Sequence, residues 1–513
     1  MPSFADNKKI AKNTIALYIR MVVMLIVSFL TCRIVLQALG IVDYGIYNVV
    51  GGIVSLLALV NTSMSLSVQR FLSFEIGKRD HASLNRVFNT AVIIHFLLGV
   101  FVLLLGETIG LYCLTHYINY PPEREIAVMW VYQMALLGSF LGILQVPYTA
   151  IVIAYEKMSI YAYFTLADVI FRMLLVCILL YLPGDSLITY SIFNATAGVL
   201  LFCAYRLYFH KQFKHVRFRF TFDKKQLKSL SVFAGWSTFG EFAWAGTNQG
   251  VTILLNLFFG PAINGVRGLA TQVQGVVMRF IMSYQTAMQP QIVKLYSAGE
   301  ISNMQKLVYT GTCFSYYLGL FFALPIILEP CFLLGLWLGT IPEYLPLFTR
   351  LVLINVLLDM MTNLLAAAAK AYGKIGRYQM IVSLILAMNF VLSYVALHMG
   401  CPAYSVFIVY GIISIILMVV RVLLLKGMIK EMTISNFIFK VIYPIVKVSL
   451  VAISTPIIAK YFIQDIYGKS FIICSISTLS VIATVWCIGL SKTERDKIKQ
   501  KIASLLLRFR HGN

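Results

Sequence analysis

The sequence predicts an all-α polytopic membrane protein, with two parallel six-helix repeats around a central cavity and two further helices at the C-terminus. Three observations carry this. The 513 residues are 60% hydrophobic and 12% charged, with a mean hydropathy of +0.84, whereas globular domains are roughly half apolar and a quarter charged. Apolar runs of about 20 residues or more, each long enough to cross a hydrocarbon core of about 30 Å, recur along the whole chain. Finally, the pattern of one half returns in the other at an offset of 220 residues.

Fourteen runs are read, at 12–38, 44–70, 87–114, 125–153, 158–182, 186–206, 229–258, 262–289, 308–336, 344–369, 376–399, 401–427, 436–461 and 470–490. They are apolar all round, whereas a barrel strand alternates over about 10 residues, so helices are expected. The first run follows Lys8, Lys9 and Lys12 but is too long for a signal peptide, contains Arg20 and Arg33, and shows no small-residue cleavage site. It is expected to be retained.

The formal charge of +22 follows topology. Of the 42 Lys and Arg, 32 lie in or beside alternate loops that include both termini, against only Arg124, Lys460 and Lys469 on the other side. The positive-inside rule then puts both termini in the cytoplasm. The run KQFKHVRFRFTFDKKQLK (211–228) is read as a cytoplasmic linker against anionic headgroups, with no nucleic-acid partner expected. The nine cysteines form no CxxC pair and the seven histidines show no ligand spacing, so neither disulfides nor a metal site are expected. No loop carries a catalytic motif, and no enzyme activity is expected.

The repeat sets the domain reading. NTSMSLSVQRFLSFEIGKRDHASLNR (61–86) aligns without gaps on IMSYQTAMQPQIVKLYSAGEISNMQK (281–306). Gly40 and Gly45 meet Gly260 and Gly265 at the same offset, and AYEKMSIY (154–161) meets AYGKIGRY (371–378). A spacing of six helices returns the chain to the same membrane side, so the halves are parallel repeats. The expected division is 1–220 as an N-lobe, 221–430 as a C-lobe, and 431–513 as two added helices with a basic tail.

Charges inside apolar runs cost at least about 2.5 kcal/mol each at a helix centre and so mark cavities or ion pairs. Asp168 and Arg172, four apart on segment 5, are read as a structural ion pair. Glu107 and Arg350 are placed close enough to the outer surface to snorkel, and most of the others concentrate on the repeat-related segments 1, 2, 7 and 8. Arg20 and Arg33 lie on segment 1, Arg70 ends segment 2, Glu241 lies on segment 7, and Arg267 and Arg279 on segment 8. At 100° per residue, Arg267, Thr271, Gln274, Gln285 and Gln289 share one stripe. Ser237, Glu241, Asn248 and Thr252 form another, and Asn48, Gly52, Ser55, Ser63 and Arg70 a third of mostly small residues. Small-residue faces also serve simply to pack helices. Arg20 and Arg33, about 220° apart on a straight helix, share a face only if segment 1 bends.

The stretch GIVDYGIYNVVGGIVSLLALVNTSMSLSVQRFLSFEIGKRD (40–80) resembles bacterial polysaccharide flippases of the Wzx type, in the multidrug/oligosaccharidyl-lipid/polysaccharide exporter superfamily. The likeness is weaker at 259–306 and elsewhere one of topology. It implies two six-helix lobes around a central cavity, a bacterial inner-membrane location, and transfer of an undecaprenyl-diphosphate-linked oligosaccharide between leaflets by alternating access. The element before Arg70, NTSMSLSVQR, departs from the acidic or Gly-rich one usual in that family.

A diphosphate suits arginine, which keeps its charge and offers paired donors to phosphate oxygens. Arg20, Arg33, Arg70, Arg267 and Arg279 are the expected anion ligands, with Gln274 and Gln285 toward sugar hydroxyls. Lipid and lipid-linked oligosaccharide are the expected partners, with polysaccharide assembly proteins as further candidates. No cofactor is expected beyond coupling to Na⁺ or H⁺, for which Glu241, Asn248 and Asp359 are the candidates. The competing reading pairs Asp359 with an arginine and leaves Glu241 to balance the cavity charge. Two other functions fit the composition: a cation-coupled multidrug exporter of the same superfamily, which calls for an acidic cavity, and a non-transporting scaffold of polysaccharide assembly.

Overall fold

A computed structural model describes residues 4–57, 64–65, 68–69, 71–72, 75–76, 81–155, 157–213, 216, 224–372, 376–463, 468–491 and 494–496. Within these ranges, side chains are described except at 4–22, 25, 57, 158, 224–245, 283, 286–287, 290, 293–294 and 297. The described residues are helical, with no strand among them.

Helix α1 (Phe4–Leu57) and, much later, α7 (Lys224–Ser297) are each two helices run together. The junctions are Gly40 (φ 73°, ψ 174°) and Gly260 (φ 78°, ψ −175°), a backbone region essentially reserved for glycine. The offset of 220 residues thus relates conformations as well as letters. Between the two bends lie α2 (His81–Leu105), which passes through a π turn at Gly106–Gly110 into α3 (Leu111–Tyr117), then α4 (Glu125–Ala154), α5 (Met158–Leu179) and α6 (Ser186–Gln212). Asp185 caps α6, its carboxylate accepting from the Leu187 and Ile188 amides.

After α7 come α8 (Ile301–Leu328), α9 (Pro330–Leu338), α10 (Leu345–Met360), α11 (Asn363–Tyr372), α12 (Gly376–His398), α13 (Ser405–Met428), α14 (Ile434–Phe437), α15 (Tyr443–Phe462) and α16 (Lys469–Thr484). Among the described residues, twelve helical spans are long and apolar enough to cross a membrane. Two of them, Ile26–Leu56 and Gly246–Met282, contain the glycine breaks, so each joins two of the fourteen expected segments. Large apolar side chains such as Phe101, Leu104, Leu392, Val419 and Leu450 point outward, as a lipid solvent requires. The chain is a multi-pass membrane protein.

Two compact units are present. Unit 1 comprises Met1–Gly268 with Phe390–Ala403, and unit 2 comprises Leu269–Asn389 with Tyr404–Asn513. In unit 1, Phe88 of α2 stacks on Phe209 of α6 at 4.6 Å, with Tyr148 of α4 edge-on to Phe209 at 5.3 Å. Met64, Val68 and Leu72 are buried in the same cluster. Arg124 is clasped by Asp43 and Asp185, its Nη1 lying 2.6 Å from Asp185 Oδ2. Unit 2 has a clasp of its own, in which Glu329 accepts from Lys460 Nζ at 2.5 Å and from the Ser470 hydroxyl at 2.8 Å.

Candidate functional site

The two glycine bends bring the arms that follow them into backbone contact. A Cβ on Gly45 would stand 1.8 Å from the Pro261 carbonyl oxygen, and one on Gly265 would stand 2.5 Å from the Ile41 carbonyl oxygen. Ile41 and Pro261, like Gly45 and Gly265, are partners at the 220-residue offset, so the contact is reciprocal, as at a two-fold axis. Only glycine allows this approach. One turn further on, Gly268 closes on the Asn48 side chain and Gly52 on Gln249 and Thr252. Asn48 and Gly52, read as part of a polar stripe, therefore serve helix packing.

This crossing fixes Arg267. Its Nη1 donates to Thr252 Oγ1 at 2.5 Å and its Nη2 to the Asn248 carbonyl at 2.9 Å, both on the first arm of α7. Its Nε is buried with no hydrogen-bond partner, and among the described residues no carboxylate pairs with the guanidinium. Asn264, three residues earlier and 1% exposed, has neither amide atom hydrogen-bonded. Among the described residues this half-buried cation is thus held only by neutral groups, with Nε and the Asn264 amide left unsatisfied, which is uncommon for buried polar atoms. One turn along α7 from Thr252, Asn256 exchanges hydrogen bonds with Asn119: Asn119 N donates to Asn256 Oδ1 at 2.8 Å, and Asn256 Nδ2 to the Asn119 carbonyl at 3.1 Å.

The other expected residues divide as follows. Arg33 is half-buried on α1 and makes no hydrogen bond or ion pair among the described residues. No second break in α1 besides Gly40 supplies the bend that Arg20 and Arg33 would need to share a face. The Arg20 and Glu241 side chains, and Arg70 altogether, lie outside the described residues. Asp168 accepts from Arg172 Nε at 3.0 Å, and Arg172 Nη1 donates to Asn194 Oδ1 at 2.9 Å. In unit 2, Gln274 is half-buried and Arg279 exposed, while Gln285 is buried with its amide against Met360 Sδ at 3.5 Å.

Asp359, also in unit 2, ends α10 at the turn before α11. It accepts from the Tyr410 hydroxyl at 2.9 Å and the Ser414 hydroxyl at 3.0 Å. Arg421 instead donates to Thr362 Oγ1 at 2.8 Å, and among the described residues no arginine pairs with Asp359. Tyr410 and Ser414 had one signal in the sequence, their i, i+4 spacing on one helix face. Nothing in it pointed to Asp359 as their partner.

These helices form a fold known from membrane transporters. A lipid II flippase, MurJ, in an inward closed conformation, matches with a TM-score of 0.69 at 13% identity over 92% of this chain and 98% of that one. An inward-facing multidrug resistance transporter of the MATE family, in the MOP superfamily, matches at 0.65 with 16% identity over 79% and 96%. A MOP superfamily transporter from Pyrococcus furiosus matches at 0.60 with 15% identity over 83% and 96%. At such identities the likeness is one of fold. No curated protein matches the chain. A sequence model of the family described as polysaccharide biosynthesis protein matches residues 10–296, more than half of the chain, and the chain belongs to that family.

Proposed function

We propose that this protein flips an undecaprenyl-diphosphate-linked oligosaccharide across the bacterial cytoplasmic membrane by alternating access, with both termini cytoplasmic, for export of a surface polysaccharide. The observation that carries the reading is Arg267, a guanidinium with no acidic partner among the described residues and an unpaired Nε, three residues from the unsatisfied Asn264 amide. Arg33 adds a second cation without a partner among the described residues. Two donors of this kind suit phosphate oxygens, and the family supplies the oligosaccharide context. An organic-cation exporter would favour the opposite charge at this place.

In the expected topology the Gly40 and Gly260 bends, the Asn119–Asn256 contact and residues 390–403 all belong to outer ends, and all fall in unit 1. Asp359 is proposed as the coupling group: an acid satisfied by two hydroxyls, with no ion-pair partner among the described residues, suits H⁺ or Na⁺ as its counter-ion. The test is translocation of lipid-linked oligosaccharide by the purified protein in vesicles, under imposed Na⁺ and pH gradients. Uptake that follows one gradient and loses that dependence in Asp359→Asn supports the reading. No translocation of the lipid-linked oligosaccharide by active, reconstituted protein refutes it.

A further inference from the structure

In unit 2, three side chains of α13 meet the turn between α10 and α11 in order. Tyr410, Ser414 and Arg421 fall within about 40° of one another around that helix. The first two hold the Asp359 carboxylate. The third ends on Thr362, three residues further along the turn, whose hydroxyl also lies 3.2 Å from the Asp359 carbonyl oxygen. Helical side chains lean toward the N-terminus of their own helix, so the guanidinium reaches back along α13 toward Ser414, near enough to the Asp359 carboxylate to act on it electrostatically. Its Nη1 is engaged by Thr362, but its Nε is buried with no hydrogen-bond partner. An arginine thus stands beside a buried acid, with a donor free, and is not bonded to it.

This nest selects a proton over a metal cation. A hydroxyl is donor and acceptor alike, so Tyr410 and Ser414 satisfy Asp359 equally as a carboxylate and as a carboxylic acid. A hard metal cation instead takes a shell of several oxygens. Here two hydroxyls are the side-chain groups bonded to the acid, and no cluster of three or more His, Cys, Asp or Glu side chains occurs among the described residues. A metal cation on the carboxylate would also be repelled by the guanidinium. Of the titratable and charged groups on the helices packed against α10, those that reach Asp359 are Tyr410 and Arg421, both of α13. Tyr378 of α12, its hydroxyl buried without a partner, lies near Arg421 instead. An unpaired carboxylate at membrane depth is unstable unless a cation closes on it, and Arg421 is the cation in reach.

We propose that Asp359 carries a proton, not Na⁺, and that Arg421 is its internal counter-ion, leaving Thr362 to pair with the carboxylate when the proton departs. The O–H bond of the acid breaks, its electron pair stays on the carboxylate, the proton passes to water, and the guanidinium neutralises the charge left behind. This role rests on the reading of Asp359 as the coupling group. The test uses purified full-length protein in vesicles, with lipid-linked oligosaccharide extracted from the native host, and compares two rates. Net translocation driven by an imposed pH gradient requires the proton to leave; one-for-one exchange of labelled for unlabelled lipid does not. In Arg421→Gln the ratio of the first rate to the second should fall at least tenfold, and Arg421→Lys, which keeps the charge, should restore most of it. A Na⁺ gradient at symmetric pH should drive no net translocation by the wild type. Should Arg421→Gln lose both rates, the double variant Asp359→Asn with Arg421→Gln, which leaves no unpaired charge, is expected to recover exchange; failure to do so counts against the pairing. An unchanged ratio in Arg421→Gln, or a wild type driven by Na⁺ alone, overturns the proton–arginine exchange and leaves Asp359 as the coupling group. A wild type that translocates but responds to neither gradient removes the coupling reading itself.

Discussion

Arg172 and Arg267 are both half-buried arginines within unit 1, and they are satisfied by opposite means. Arg172 has a carboxylate four residues away on its own helix and an asparagine from α6. Arg267 has a hydroxyl, a backbone carbonyl and an empty-handed Nε. Placing a cation at membrane depth costs about 2.5–3.5 kcal/mol, and a carboxylate partner largely offsets that cost at Arg172. At Arg267, among the described residues, only neutral dipoles offset it, and on the proposed function the residue gains further stabilisation when an anion arrives. On the proposed function, the comparison separates an arginine paired within the fold from one that takes a ligand.

The largest effect on this comparison comes from the helix crossing beneath Arg267. Gly45→Ala drives a methyl group into the Pro261 carbonyl, and because backbone must move, a loss of at least about 3 kcal/mol is expected. Gly142→Ala on α4, where nothing lies within 4 Å of the new atom, should be neutral or stabilising by about 0.5–1 kcal/mol. Melting of the two purified variants decides the point; equal melting temperatures would show that the crossing is not tight.

Next in size is Arg267 itself. Replacing a charge-assisted contact worth roughly 1.5–3 kcal/mol predicts a 10- to 100-fold fall in translocation for Arg267→Ala, with unchanged membrane abundance. Arg267→Lys keeps the charge but not the planar fork, and should recover part of the loss. A normal rate in the alanine variant would remove the distinction from Arg172.

Asp168→Asn makes the first arginine resemble the second. The pair is partly solvated, with side-chain exposures of 31% and 17%, so its loss should cost about 1–2 kcal/mol, between the ~0.5 of an exposed pair and the ~3 of a buried one. Thermal stability should fall, and the paired change Asp168→Asn with Arg172→Gln should restore much of it. If the double variant is no better than the single, Arg172 does not depend on its acid.

How far these features were readable follows from sequence distance. The membrane-spanning helices were legible, because lipid forces each to be continuously apolar. So were the matching positions of Gly40 and Gly260, though not that they bend continuous helices, and a four-residue spacing puts Asp168 within reach of Arg172. The Asn194 contact with Arg172 was not, because it depends on which helix faces meet, and helices apolar all round carry no periodic signal for that. The hydroxyls on Asp359, from residues 51 and 55 positions away, were hidden for the same reason. For Asn48 and Gly52 the sequence left two readings open, because small polar residues pack helices as readily as they line cavities.

The smallest expected effect comes from the clasp of unit 2, the paired arrangement carried to a solvated place. Burial opposes ionisation of Glu329, but hydrogen bonds from Lys460 and Ser470 and the charges of Lys460 and Lys469 outweigh it, holding the carboxyl below its ordinary value of 4.5. A carboxylate whose folded-state value is depressed stabilises the fold above its unfolded value, and loses that contribution as pH falls through the folded one. The clasp is therefore fully formed at neutral pH and fades only below about 4.5. With Lys460 43% exposed, screening keeps its worth under about 1 kcal/mol. Glu329→Gln should thus melt slightly below wild type at pH 7, with a gap that narrows at high salt and as the pH falls below about 4.5. A gap that widens on acidification would mean that Glu329 acts through packing and not through charge, and that acid–cation pairing in this protein matters only where the membrane excludes water.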